Sequence, residues 1–197
     1  TNNGQLLSSS TDTVGMYLDN PTSTIITNTG TINLTGDKSR GIYITNNGAT
    51  TVTNTGNITV GGSSVINDPS IGIYSENSTD TINNTGNITA GVNSLGIYSK
   101  TAIVNHLSGT IKVWDNGPAI YNAQGNITIG SGATITLGTK NAVAAYGINS
   151  SSIANSSNIN IGNDNYGFII QSGSTLVNNG AGNLGEDSVF AYSNNGV

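Results

Sequence analysis

No cysteine occurs among the 197 residues, so neither a disulfide framework nor a thiolate metal site is open to this chain. Charge is scarce as well. Five Lys+Arg, ten Asp+Glu and a single His make up the titratable inventory, and 8% of residues are charged, about a third of the usual globular share. The balance is acidic, with a net charge of −5 and a pI near 4.3, which excludes a nucleic-acid surface, since that needs clustered Lys and Arg against phosphates. No apolar run approaches the ~20 residues of a membrane-spanning helix, so the chain reads as soluble as it stands. An initiator Met, a basic leader and a signal-type apolar stretch are missing too, and the expectation is an internal piece of a larger protein.

What is abundant is Asn, Thr, Ser and Gly, with 31, 26, 23 and 27 residues. Such composition is typical of disordered low-complexity segments. Periodicity argues otherwise. Gly15-Met16-Tyr17, Gly41-Ile42-Tyr43, Gly72-Ile73-Tyr74 and Gly96-Ile97-Tyr98 are followed by Ala119-Ile120-Tyr121, Ala144-Ala145-Tyr146, Gly167-Phe168-Ile169 and Phe190-Ala191-Tyr192. Their third positions lie 26, 31, 24, 23, 25, 23 and 23 residues apart. A second anchor, Asn28-Thr29-Gly30, Asn54-Thr55-Gly56 and Asn84-Thr85-Gly86, keeps phase with the first, with looser copies ending at Gly109, Gly132, Ser157 and Gly180.

Each repeat carries three short stretches of strand character: the Gly-Ile-Tyr element, the apolar residues before Asn-Thr-Gly, and an alternating pair after it, such as Ile32/Leu34 or Ile58/Val60. No window shows helical spacing. Like residues recurring at a fixed period are what a solenoid requires, because each coil stacks on the last. The sequence therefore predicts an all-β, right-handed parallel β-helix of about seven to eight coils of three short strands, a single segment over residues 1–197, on the order of 35 Å long.

Alternation predicts facing. Residues i and i+2 share a side of a strand, so the file Met16, Ile42, Ile73, Ile97, Ile120 and the file two residues earlier (Val14, Arg40, Ile71, Leu95, Pro118) are both expected in the core, with the Gly/Ala and Tyr files outside. Tyr17, Tyr43, Tyr74, Tyr98, Tyr121, Tyr146 and Tyr192 would then form an external ladder suited to a sugar or protein partner; buried ring packing is the alternative. Asn28, Asn54 and Asn84 are expected to stack through their amides at a corner where asparagine tolerates the left-handed conformation.

An Asx residue sits five or six positions before each Tyr-type residue: Asp12, Asp37, Asp68, Asn93, Asp115, Asn141, Asp164 and Asp187. Turn chemistry explains this edge; a stripe of cation-binding carboxylates is the competing reading. The longest insertion, Gly61–Ser70, carries the apolar Val65 and Ile66 as candidate contact residues. His106 stands at an Asn-Thr-Gly position without sequence partners for metal or nucleophile work, and Trp114 shares parity with Lys112 and should lie outside. Catalytic and cofactor-binding motifs are not found. The tightest mixed cluster, Asp37-Lys38-Ser39-Arg40 with Asp12 and Asp68 one coil away, is the place a lyase-type activity would reside.

Tandem Gly-Ile-Tyr with Asn-Thr-Gly-Asn-Ile-Thr (Asn54–Thr59, Asn84–Thr89) in an Asn/Thr/Gly-rich chain resembles the passenger domains of large type V (type Va) autotransporter adhesins, fusobacterial ones especially. The likeness runs from about Val14 to Tyr192; Ala144, Phe190 and Ser157 depart from the motif. It implies a fragment of a longer passenger displayed outside the cell, with attachment to a host or bacterial surface protein or glycan. Membrane association would run only through a C-terminal barrel that is absent here. Lack of cysteine suits a chain exported through an oxidising periplasm. The expected function is a non-enzymatic adhesive stalk with no cofactor; the alternative is a carbohydrate-active β-helix of lyase or depolymerase type.

Overall fold

A computed structural model describes residues 1–19, 23–45, 48–77 and 79–195. They form an all-β parallel solenoid of about eight turns, and among the described residues there is no helix. One face is an eight-stranded parallel sheet built from the Gly-Ile-Tyr elements, running from Val14–Asp19 through Arg40–Thr45, Ile71–Ser75 and Leu95–Ser99 to Val189–Asn194. The other two faces merge into an eleven-stranded sheet, because Ile103–Val113 and Asn126–Thr136 each run through a corner that is a turn in other coils.

The register puts like on like. Ile42 pairs with Ile73, Ile73 with Ile97 and Ile97 with Ile120, and all four are fully buried. On the third face Ile32, Ile58, Ile88 and Ile111 form a second file, also buried. β-Branched residues fit this flat, pleated interior, and each buried isoleucine contributes about 1.5–3 kcal/mol by leaving water. These files are the core; with so little charge and no disulfide, they carry the stability.

The facing of two files differs from the alternation expected. The register pairs Val14 with Arg40 and Met16 with Ile42 but passes over Gly15 and Gly41, and the same skip recurs in all the coil-to-coil pairings of this face but one, where pairing begins after the glycine, at Ile97 and Ile120. The offset between the paired strands is the same on both sides of the glycine, so no residue is inserted; both strands leave regular pleating there together, and the two-residue rule does not carry across. As a result the glycine file faces inward. A Cβ on Gly41 would lie 2.6 Å from the Ile58 γ2 methyl and 2.5 Å from the Gly72 carbonyl oxygen; one on Gly72 would meet Ile88 and Gly96 equally closely. The file before it turns outward: Val14 and Val189 are exposed, Arg40, Leu95 and Pro118 half-exposed, and Ile71, although buried, lies outside the core cluster.

The Asn-Thr-Gly corner is held by stacked amides. Asn2 Nδ2 donates to Asn28 Oδ1 (2.8 Å), Asn28 to Asn54 (2.7 Å) and Asn54 to Asn84 (2.7 Å), and these asparagines are buried. The left-handed geometry expected of Asn28, Asn54 and Asn84 is not there; none has positive φ. Each ends a strand, and the carbonyls of Asn28 and Asn54 accept the next coil's corner amides, Asn28 from Thr55 and Gly56 and Asn54 from Thr85 and Gly86. Later copies of the corner fall at Gly109, Ala133, Ser157 and Gly180, since Gly109 pairs with Ala133 rather than with Gly132.

One corner interrupts the ladder. In the earlier coils the corner glycine carbonyl accepts a backbone amide from the coil above, Asn57 on Gly30 and Asn87 on Gly56. At Ala133 the acceptor is taken by the Ser157 hydroxyl at 2.7 Å. Ile159–Ile161 then pairs forward with Gly182–Leu184 as a separate two-stranded sheet and not back onto Asn126–Thr136. A cleft of about 290 Å³ opens between them, lined by Thr134, Thr136, Asn158 and Asn160 among others.

Candidate functional site: the tyrosine face

Because the tyrosine follows the inward isoleucine by one residue, its side chain leaves the opposite side of the strand. Parallel in-register pairing sets Tyr17 on Tyr43, Tyr43 on Tyr74, Tyr74 on Tyr98, Tyr98 on Tyr121 and Tyr121 on Tyr146. The expected external ladder is present. Ring centroids follow one another at 5.4, 4.9, 4.8, 5.3 and 5.1 Å, a strip on the order of 25 Å long at one ring per strand spacing. Tyr74, Tyr98 and Tyr121 lie nearly parallel, with interplanar angles of 9° and 5°; the pairs at either end are tilted or edge-on. Such pairs each add about 0.5–1.5 kcal/mol beyond burial.

The rings are half-buried between Tyr43 and Tyr146 and freely exposed at Tyr17 and Tyr192. The outward file beside them supplies flanking contacts: the Arg40 guanidinium lies 5.4 Å from the Tyr43 ring centre, within cation–π range. On the other side Tyr74 donates to Glu76 Oε1 and Tyr146 to Gln171 Oε1, both at 2.6 Å. Burial pushes the phenols of Tyr43, Tyr98, Tyr121 and Tyr146 above the ordinary tyrosine range. Tyr74 is raised furthest, by burial first and then by its bond to Glu76. Held un-ionised at neutral pH, these hydroxyls can stack and hydrogen-bond but are poor bases and nucleophiles. The arrangement is chemically suited to binding.

The ladder breaks once. Tyr146 pairs with Ile169, and Ile169 with Tyr192. At this step a cavity of about 380 Å³ opens, lined by Tyr146, Tyr166, Ile169, Gln171 and Tyr192.

Seven of the eight residues of the acidic edge resolve into two structural roles that follow the five-or-six spacing, and Asp68 takes a third. Residues five before the tyrosine position, Asp12, Asn93, Asn141, Asp164 and Asp187, have φ between +51° and +55°, a conformation Asx tolerates. At six before, Asp37 and Asp115 precede the left-handed residue, which is Lys38 or Asn116 instead, and their carboxylates cap the turn of the coil above. Asp37 accepts from the Ser64 amide and hydroxyl, and Asp115 from the Thr139 amide and hydroxyl and the Lys140 amide. The bond to Ser64 lowers the Asp37 pKa, and the bonds to Thr139 outweigh desolvation to lower that of Asp115. Asp68 sits 3.2 Å from Arg40 and 3.5 Å from Lys38. Among the described residues no three His, Cys, Asp or Glu side chains come together in a way that could hold a metal ion.

The Gly61–Ser70 insertion is tied down at both sides. Ser63 N donates to Val92 O, Ser70 Oγ accepts from Ser39 N, and Asp68 anchors it to Arg40. Val65 and Ile66 remain on its outer surface, Ile66 at 75% exposure. Of the residues picked for lyase chemistry, Asp37, Lys38, Ser39, Arg40 and Asp68 are occupied in fastening this loop, and Asp12 takes the left-handed turn. Trp114 lies outside as its parity requires, with the Lys112 ammonium 4.5 Å from its ring centre.

His106 belongs to the asparagine stack: its Nδ1 is 3.0 Å from Asn84 Nδ2. Sequence reasoning missed two features altogether, the cavity at Ile169 and a buried carboxylate at Asp80. Asp80 accepts from Thr50 N at 2.9 Å and Ser75 Oγ at 2.7 Å. The non-tyrosine letter at Ile169 was the available signal for the first; nothing in the repeat marks the second. Comparisons with protein-family models, curated proteins and solved structures find no match for this chain.

Proposed function

We propose that this chain is a non-enzymatic adhesive segment, a rigid β-helical stalk whose tyrosine face and projecting loop contact a protein or glycan on another cell. The observation that carries the reading is the continuous run of outward rings from Tyr17 to Tyr146. A soluble rod gains no core packing from aromatics on its outside, and clustered tyrosines with hydroxyl tips are what contact surfaces use. Un-ionised phenols and carboxylates committed to turn capping favour binding over catalysis. The resemblance of the repeats to autotransporter passengers supports display on a bacterial surface, with the parent protein anchored in the outer membrane.

The test is attachment of the fragment, immobilised on beads, to epithelial cells, to bacterial cells and to a glycan panel. Binding by the native chain that falls at least tenfold in a Tyr43→Ser/Tyr98→Ser/Tyr121→Ser variant with unchanged far-ultraviolet circular dichroism supports the reading. Absence of binding to every surface would reduce the segment to a spacer.

A further inference from the structure

The cavity at Ile169 opens at the position of one absent ladder rung. Tyr146 and Tyr192 are two strand positions apart, with Ile169 between them, so about 9.6 Å of solenoid axis separates their backbones. Adjacent rings elsewhere in the ladder sit 4.8–5.4 Å apart. The axial room between the Tyr146 and Tyr192 backbones is therefore that of one further rung, which the Ile169 side chain fills only in part. An isoleucine side chain stops well short of where a phenol would reach, leaving the space of about 380 Å³, within the size range of small-molecule sites.

The lining says what kind of ring. Polar groups converge on it: the Tyr166 and Tyr192 phenols and the Gln171 amide, whose Oε1 is fixed by the Tyr146 hydroxyl at 2.6 Å while its NH₂ is left to donate. No charged side chain lines the cavity. A saccharide ring presents C–H faces that stack on aromatic rings and equatorial hydroxyls that pair with amide and phenol groups. A purely aromatic guest would leave those polar groups unpaired, at a cost in binding. A sulfated or uronic sugar would bring a charge that nothing here neutralises.

We infer that the gap over Ile169 is a binding slot for a single neutral pyranose unit, sandwiched between Tyr146 and Tyr192 and oriented by Gln171 and Tyr166. This deepens the adhesive reading by naming the ligand class at one point of the tyrosine face, and it rests on that reading for its biological use.

The test exploits the ladder itself. Ile169→Tyr fills the slot with the residue the other coils carry, so the variant should fold as the native chain does. A panel of neutral methyl pyranosides (glucoside, galactoside, mannoside, N-acetylglucosaminide) is titrated against native chain, Ile169→Tyr and Ile25→Ala, an exposed position in the other sheet, with tyrosine ring signals followed by NMR. The expected result is saturable binding of at least one pyranoside by the native chain, a loss of tenfold or more in Ile169→Tyr, and retention in Ile25→Ala. No saturable shift with any pyranoside, equal binding by Ile169→Tyr, or binding of N-acetyltyrosinamide in preference to the sugars would overturn the slot. Cell attachment that persists in Ile169→Tyr would overturn the slot as the contact point while leaving the adhesive reading standing.

Discussion

Asn84 Nδ2 stands 3.0 Å from His106 Nδ1, and the corner stack sets the direction of this contact. Asn84 Oδ1 already accepts from Asn54, so its amide nitrogen is the donor and Nδ1 must be the acceptor. The proton then lies on Nε2, which donates to the Thr134 carbonyl at 3.3 Å. From Asn2 to Thr134 every bond points the same way, and it ends on a neutral histidine.

Acid should weaken that end of the stack. Burial holds the folded-state pKa of His106 below its ordinary 6.5, against smaller opposing effects from the Thr134 and Asn84 carbonyls. The unfolded chain therefore takes up a proton first as pH falls through 6.5, and stability drops from there until the folded-state pKa is reached. His106→Asn restores an amide rung and removes this slope. Chemical denaturation between pH 7.5 and 5 should show the native chain losing stability relative to the variant; parallel curves would contradict the assignment.

Asp80 should act with the opposite sign. It is buried, and burial raises its pKa above the ordinary 3.8 against the lowering bonds from Ser75 and Thr50. The folded state holds the proton longer, so acidification through the folded-state pKa adds stability, and at pH 7 the buried charge is a cost. Asp80→Asn can keep the Thr50 bond and donate to Ser75. It should raise the melting temperature at pH 7, with the gain shrinking toward pH 4 in calorimetric scans.

An interior rung of the asparagine stack should matter more than any surface ion pair. Asn54→Ala leaves Asn28 Nδ2 and Asn84 Oδ1 buried without their partners, a loss of roughly 3 kcal/mol at ~1–3 kcal/mol for each orphaned group. Arg40→Ala removes a half-exposed pair with Asp68 and should cost no more than about 1 kcal/mol. Urea midpoints on the two variants give the comparison.

The cleft over Ala133 should be the least protected part of the described core. Backbone amides of Thr134–Leu137 and Asn158–Ile161 that face it lack the ladder bonds of other coils and should exchange faster than those of Asn57–Val60 or Asn87–Ala90. Ser157→Gly frees the Ala133 carbonyl for the Asn158 amide and should slow exchange there. Mass-resolved hydrogen exchange at neutral pH reads both.

The sequence by itself determined most of what recurs once per coil. Spacing of the Gly-Ile-Tyr and Asn-Thr-Gly anchors specified the strands, the number of turns, the file through Ile42, Ile73 and Ile97, the outward tyrosines and the amide stack, because stacking like on like is the only way such a repeat buries its apolar residues. The five-or-six spacing of the Asx edge separates the side chains that adopt the left-handed turn from Asp37 and Asp115, which cap it, but not from Asp68, which pairs with Arg40. What the tertiary structure alone decided lies where one coil differs from the next or where the strand departs from regular pleating. The unpaired glycine at Gly41 reversed two files, since alternation fails where neighbouring strands leave regular pleating together. The Ser157 hydroxyl displaced a ladder bond, and Ile169 left a space between two rings. Each depends on which residues meet across a coil boundary, and a one-dimensional pattern of repeats carries no information about the gap between two stacked neighbours until their backbones are placed.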